Sequence, residues 1–402
     1  MLRMVPLPML RMGRHKGAMN PLFANMPINV FTRMSALAVE NGAVNLGQGF
    51  PDFGWPDDVV AKAAEELVTG SNQYAPMPGR PELRRAIADH YRDRQGLGTE
   101  PDSVVVTSGA TEALAASLIA LIEPGDEVLL FQPLYDLYLP MVLRSGGVPR
   151  FVRLTPPDWR ITGEALTEAF TPRTRLVVFN NPHNPSSRVF GADELGLLAE
   201  ACVRHDSIVL TDEVWEHVVF DGRRHVPLAS LPGMAERTVK VGSAGKIFSL
   251  TGWKVGWVVA PPALAGPISK AHQFLTFATA PNLQAAVAFG LGKEPGWFEG
   301  MREDFAEARD GLVAGLRDSG FVTLAAEGTY FVGVDLPASG IEADDAAFCE
   351  RAVREAGVAA IPLSAFYAED PVTSVVRLCF AKKPETLAAG VERMAKARAL
   401  FA

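Results

Sequence analysis

Two lysines stand eight residues apart in the stretch SAGKIFSLTGWKVGW, residues 243–257. Lys246 follows the apolar run of residues 239–241 and sits among Ser, Ala and Gly. Small neighbours leave room around the amine, so a carbonyl compound can approach it and form a Schiff base. Lys254 lies in a Gly-Trp-Lys-Val-Gly turn. The plain alternative is a pair of solvated surface lysines. Phe248, Trp253, Val255 and Trp257 surround them with no acid nearby, which speaks against it.

Four other groups carry chemistry, each at the end of an apolar run or inside one. Ser108-Gly109-Ala110-Thr111-Glu112 joins a run to a helix start. Backbone N–H groups and a hydroxyl there make a cradle for a phosphate, favoured by the helix dipole. A simple N-cap by Ser108 or Thr111 reads equally well. Asn180-Asn181-Pro182-His183-Asn184-Pro185 forces a turn in which Asn184 can donate to a ligand oxygen or satisfy its own backbone. Asp212 ends the run SIVLTD, where a carboxylate is costly unless paired. A cationic ring nitrogen is one partner; an N-cap or a salt bridge is the other reading. Arg377 sits inside VVRLCF, and a guanidinium there suits a planar carboxylate ligand or snorkels to the surface. Together these groups match what pyridoxal phosphate chemistry requires.

The elements that must hold these groups alternate. Strand-like runs cover residues 104–108, 127–131, 149–154, 174–180, 207–212, 238–242 and 255–260. Helical patterns cover residues 111–123 and 192–205, and another begins at Leu134. Short apolar strands alternating with helices predict a mostly parallel sheet covered on both faces. Ligands of such sheets bind beyond the strands' carboxyl ends. A long charged helix is expected over residues 298–319. After it come strands at residues 331–336 and 375–380, a helix near 344–355 and a last helix from Pro384.

Composition sets outer limits. With 402 residues, 48% of them hydrophobic and 21% charged, the chain can bury a large core in two or three domains, or one large and one small. A net charge of −8 argues against nucleic acid as the main partner. Cys202, Cys349 and Cys379 are far apart and odd in number, as suits reduced thiols of a cytoplasmic protein, without disulfide or zinc spacing. No metal is expected. No run approaches the ~20 apolar residues of a membrane helix. Residues 1–19 carry Arg3, Arg11, Arg14 and Lys16 and no acid. They read as a disordered tail, or as a stretch ahead of a true start at Met19.

The chain resembles the class I, fold-type I pyridoxal-phosphate-dependent aminotransferases. Within them it is most similar to the branch of kynurenine aminotransferase/glutamine transaminase K and the methionine aminotransferases. The likeness runs from about Met26 onward. It rests on NLGQGFPDF (residues 45–53), NQYAP (72–76), SGATEA (108–113), the Asn-Pro-His-Asn-Pro turn, Asp212-Glu213-Val214, the lysine stretch and RLCFAK (377–382). It implies an α/β fold, with a mostly parallel seven-stranded sheet sandwiched by helices and a smaller α+β domain. The implied division is a tail over residues 1–25, a segment over 26–45 packing with the small domain, a large cofactor-binding domain over 46–295 and a small domain over 296–402.

The resemblance also implies roles. Lys246 forms the Schiff base with pyridoxal 5′-phosphate and moves the substrate proton. Asp212 holds the ring nitrogen protonated, Asn184 contacts the ring hydroxyl and Tyr135 stacks on the ring. Ala110, Thr111, Ser243 and Lys254 bind the phosphate. Tyr74 reaches the phosphate of a neighbouring subunit, which implies a homodimer with sites at its interface. Arg377 clamps the substrate carboxylate, Gly49 lies beside it, and Phe277 adds an aromatic to the partner's pocket. Trp215 departs from the family's usual tyrosine at that position and is expected to shift the pKa of the cofactor linkage. The implied reaction is ping-pong amino transfer from an apolar, sulfur-containing or aromatic L-amino acid to a 2-oxo acid. A carbon–sulfur β-lyase, or an aminotransferase acting on an N-succinyl-diaminopimelate-type substrate, remains an alternative.

Overall fold

The computed structural model describes residues 20–401. The expected tail of residues 1–19 lies outside them, and Pro21–Ala24, within the expected tail, forms one helical turn. In chain order the strands are β1 (Val44–Asn45), β2 (Val104–Ser108), β3 (Glu127–Gln132), β4 (Val148–Arg153), β5 (Thr174–Asn180), β6 (Ile208–Asp212) and β7 (Thr238–Ser243). Then follow β8 (Val255–Val259), β9 (Val322–Thr323), β10 (Phe331–Asp335), β11 (Val358–Ala359), β12 (Ile361–Pro362) and β13 (Val375–Cys379).

Seven strands form the main sheet, in the order β2-β8-β7-β6-β5-β3-β4. Its interior strands β3, β6, β7 and β8 are buried along their whole length. That is why β3, β6 and β8 read as near-continuous apolar runs rather than alternations, while β7 buries Lys240 between two valines. β8 alone is antiparallel to its neighbours, β2 and β7. Its start therefore lies at the edge where the parallel strands end: Val255 pairs with Ser108, and Gly256 with Ser243. At the same edge Asn180 pairs with Asp212. The crossover topology thus gathers groups from four strand ends and one strand start.

A second sheet, β12-β13-β10-β9, is antiparallel. Arg377 lies on β13, one of its two interior strands, opposite Gly333 on one side and Ile361 on the other. The helix Pro295–Asp318 precedes this sheet, starting with proline at its first turn, where the missing N–H costs nothing. β1 pairs in parallel with β11 and leads straight into the glycine segment at residues 47–49. The helix expected from Leu134 begins instead at Tyr138. Leu134 donates its N–H to the Phe366 carbonyl at 2.7 Å, a tertiary bond that holds it outside a helix.

Candidate active site

Ser108 ends β2 and the helix Gly109–Leu121 begins at once. Gly109 takes φ +72°, and a Cβ there would stand 3.1 Å from Lys254 Nζ, so glycine suits the position on both counts. Gly256 of β8 approaches the same turn so closely that a Cβ would meet the Gly109 carbonyl carbon at 2.5 Å. Ser108 makes no side-chain cap. The first-turn N–H groups of a helix have no partners inside it, so this end can take an anion. Lys254, left-handed at φ +53°, donates to Thr111 Oγ1 at 3.2 Å and brings a cation to the same place.

A cavity of about 210 Å³ opens over this edge of the sheet. Its walls include Ala110, Thr111, Tyr135, Asn184, Asp212, Trp215, Ser243, Lys246 and Lys254. Nine of the thirteen residues singled out from the sequence therefore meet in one place. Lys246 sits in the short helix Ala244–Ile247, half-buried, with Nζ 4.6 Å from the centre of the Trp215 ring. Removal from water pulls its pKa down, to about 8, against the upward pull of Asp212.

Asp212 is buried, and burial raises its pKa. Its Oδ2 accepts from the Tyr138 hydroxyl at 2.7 Å and its Oδ1 from the Val214 N–H at 3.3 Å. Neither partner is a cation. Asn180 braces this corner: its Nδ2 donates to the Asp212 carbonyl and its Oδ1 accepts the Asn184 N–H, both at 2.7 Å.

Arg377 and Gly49 do not line the cavity; Arg377 bonds Asn184, which does. Arg377 is 1% exposed. Its Nη1 donates to Asn184 Oδ1 at 2.7 Å and its Nη2 to the Gly47 carbonyl at 3.2 Å, while Nε has no partner. No carboxylate is bonded to it among the described residues. Burial lowers its pKa to about 9, which leaves it a cation at neutral pH. The guanidinium lies 3.8 Å from the Phe331 ring centre, with Phe366 at 5.0 Å and Phe31 at 5.2 Å. Gly49 makes room for that stack, since a Cβ there would meet Phe331 Cζ at 2.6 Å. Because Arg377 occupies the amide oxygen of Asn184, the amide nitrogen is left as the donor.

Tyr74 and Phe277 lie apart from the cavity and against each other, ring centres 5.3 Å apart and edge to face. They are 85% and 42% exposed. Three polar groups at the site carry no role in the sequence reading. Tyr138 bonds Asp212, and its signal was the tyrosine three positions before it. Asn180 opens the Asn-Pro turn, and its role lies in two backbone bonds that the motif itself does not show. Tyr330 donates from its hydroxyl to the Lys246 carbonyl at 2.7 Å, and nothing in its local sequence announces this.

Below Asp212, Glu213, Glu216 and His225 come near enough together to hold a metal ion. Lys240 already serves both carboxylates: its ammonium bonds Glu213 and, at 2.7 Å, Glu216.

Residues 41–394 match the model of the family described as aminotransferase class I and II. The chain belongs to that family. It is therefore an enzyme, a transaminase, and members of the family use pyridoxal phosphate. A probable N-succinyldiaminopimelate aminotransferase of Mycobacterium tuberculosis is 43% identical over 379 residues, covering 91% of this chain and 95% of that one. The methionine aminotransferase of Escherichia coli is 43% identical over 366 residues, with the same shares covered. The solved structure of an N-succinyldiaminopimelate aminotransferase from Mycobacterium tuberculosis superposes with a TM-score of 0.91 at 42% identity, covering 94% of this chain and all of that one. These aminotransferases share the fold seen here: a mostly parallel seven-stranded sheet flanked by helices, with a smaller unit beside it.

Proposed function

We propose that this aminotransferase moves the amino group of an L-amino acid with an apolar, sulfur-containing or aromatic side chain to a 2-oxo acid, by ping-pong turnover with pyridoxal 5′-phosphate. One observation carries the reading. At one cleft stand an amine with a pKa near 8 and a buried carboxylate without a cation, and bonded to its wall residue Asn184 is a buried guanidinium without a carboxylate. Each lacks the partner that the cofactor or the substrate would bring.

The donor set fits the cofactor. The first turn of Gly109–Leu121, with Thr111, Ser243 and Lys254, would hold its phosphate. Asp212 would hold a proton on the ring nitrogen, Asn184 Nδ2 would donate to the ring oxygen, and Tyr135 would cover the ring. When bound, pyridoxal phosphate supplies an electron sink for the pair left at the substrate Cα. Lys246 Nζ, neutral in part near pH 8, is nucleophile first and then the base that takes and returns the Cα proton. Arg377 grips the substrate carboxylate and so fixes which bond at Cα faces Lys246. Phe31, Phe331 and Phe366 stack around the Arg377 guanidinium and make its surroundings apolar; the 43% identity to a methionine aminotransferase supports an apolar or sulfur-containing side chain.

A second reading rests on the 43% identity to the probable N-succinyldiaminopimelate aminotransferase. Such a substrate wants a further cation. Lys382 is buried, donates to the Phe50 carbonyl at 2.7 Å and lines a different cleft from the one that holds Lys246. That commitment favours the apolar reading. We also read the protein as a cytoplasmic homodimer, with Tyr74 and Phe277 reaching into the partner's site. Their exposure away from their own cavity supports the dimer, and three buried free cysteines suit a reducing compartment. Among the described residues no helix is long and apolar enough to cross a membrane.

The test is a panel of amino donors without any oxo acid. Methionine, glutamine, kynurenine and phenylalanine should each convert the bound cofactor to pyridoxamine phosphate once, and N-succinyl-diaminopimelate poorly. Release of pyruvate and ammonia from a sulfur amino acid, with the cofactor returned unchanged, would mean a β-lyase.

A further inference from the structure

His272 and Glu112 form a buried pair outside the cavity. His272, on the helix Pro262–Leu275, is fully buried. Its Nε2 lies 3.0 Å from the Met77 carbonyl, and its Nδ1 lies 2.6 Å from Glu112 Oε1. A carbonyl oxygen only accepts, and so does an ionised carboxylate. With Glu112 ionised, both contacts need a proton on the ring, which makes it an imidazolium. The second Glu112 oxygen accepts the Ser108 N–H at 2.5 Å.

This pair touches three separate pieces of the chain. Ser108 stands just before the cradle at residues 109–111. The helix of His272 runs out into Phe277, whose N–H returns to the His272 carbonyl at 3.2 Å. Met77 belongs to the segment that presents Tyr74, and Tyr74 packs on Phe277.

We propose that the His272–Glu112 ion pair is a positioning device that sets the cradle and the Tyr74–Phe277 arm in register, and that it works only while His272 is protonated. The proposal rests on reading the cradle as a phosphate site. Glu112 is the charged group facing the ring among the described residues; the Met77 segment and Thr276 present neutral oxygens. Burial alone would strip the ring's proton, but the carboxylate outweighs it and raises the pKa of His272. Burial would also raise Glu112, yet its bonds to His272 and Ser108 bring it below the ordinary range. At alkaline pH the ring loses one proton; the carboxylate holds the one on Nδ1, so Nε2 is left with a lone pair facing the Met77 carbonyl. The Met77 contact opens, the pair loses its positive charge, and the Tyr74–Phe277 arm and the cradle lose their common anchor.

The experiment follows cofactor release from the holoenzyme against inorganic phosphate as competitor, across pH, by cofactor absorbance. Nitrogen NMR of ¹⁵N-histidine protein reads the ring's charge in the same samples. The wild type should show both ring nitrogens protonated at neutral pH, and faster release over the alkaline range in which one proton is lost. Glu112→Gln lets an amide donate to a neutral Nδ1 while its oxygen keeps the Ser108 bond, so the alkaline acceleration should vanish. His272→Ala removes two bonds and should release cofactor about tenfold faster or more at neutral pH, with the excess over wild type shrinking across the alkaline range. A neutral ring at neutral pH, or an unchanged alkaline acceleration in Glu112→Gln, would overturn the proposal. Glu112→Gln decides alone if His272→Ala does not fold. A wild type that holds no cofactor would instead sink the phosphate reading, while the NMR still decides the charge of the pair.

Discussion

At the residue scale, the proposed chemistry turns on Lys246 and Trp215. The amine lies over an indole face at 4.6 Å, and indole is the aromatic that best supports a cation. Trp215 itself is wedged against Tyr330, ring centres 4.4 Å apart, and Phe331 at 5.6 Å. Tyrosine at this position would support the charge less and could donate from its hydroxyl. Trp215→Tyr should therefore move the pH midpoint of the cofactor's absorbance downward, by up to about one unit. Superimposable titrations of the two proteins would remove Trp215 from the account. Sequence alone marked Lys246, Asp212 and Arg377 because each breaks an apolar setting. It could not mark Tyr138 or Tyr330, because their meaning lies in contacts across 74 and 84 positions.

At the element scale, the site depends on strand ends being held level. Lys240 on β7 does this for the end of β6. Its ammonium bonds Glu213 and Glu216, and Glu216 also accepts from the Tyr91 hydroxyl at 3.0 Å and from Gln95 at 2.7 Å. Burial would raise both carboxyl pKa values, but the Lys240 charge outweighs it and holds each at about 2. Folded pKa values below the unfolded ones stabilise the protein above about pH 4.5, and that stability is lost as pH falls through about 2, a matter of a few kcal/mol. Lys240→Met leaves the carboxylates buried and uncompensated. It should cost about 3–5 kcal/mol at neutral pH, and the gap in thermal midpoint should close as the pH falls from 4.5 towards 2. A gap of constant size over that range would show that the ion pairs do not carry this stability.

The elements themselves were readable because the main sheet is buried on both faces. Its strands are apolar runs between helical patterns, and the expected strands agree with the observed ones to within a residue or so at each end. Direction was not readable. The run VGWVV reads the same whether its strand is parallel or antiparallel, yet the reversal of β8 is what brings Lys254 to the cradle. The expected helix near residues 344–355 is Asp345–Arg351 followed by a wider turn over Ala352–Ala356, a change of pitch that apolar spacing does not report.

At the scale of the whole molecule, the site draws on two sheets. The main sheet supplies Lys246, Asp212 and the cradle. The second supplies Arg377, joined to the first through its bond to Asn184. In the proposed reaction, substrate bound across that junction would touch both, and the two units would have to keep their spacing for Lys246 to meet the right proton. The central claim is that Lys246 is the lysine that binds the cofactor. The direct measurement is borohydride reduction of the protein with pyridoxal phosphate, which fixes a carbonyl–lysine adduct as a secondary amine, followed by peptide mass mapping. The account predicts one phosphopyridoxyl mark, on Lys246, lost in Lys246→Ala together with turnover. A mark on Lys254 or elsewhere, or turnover that survives Lys246→Ala, would contradict it.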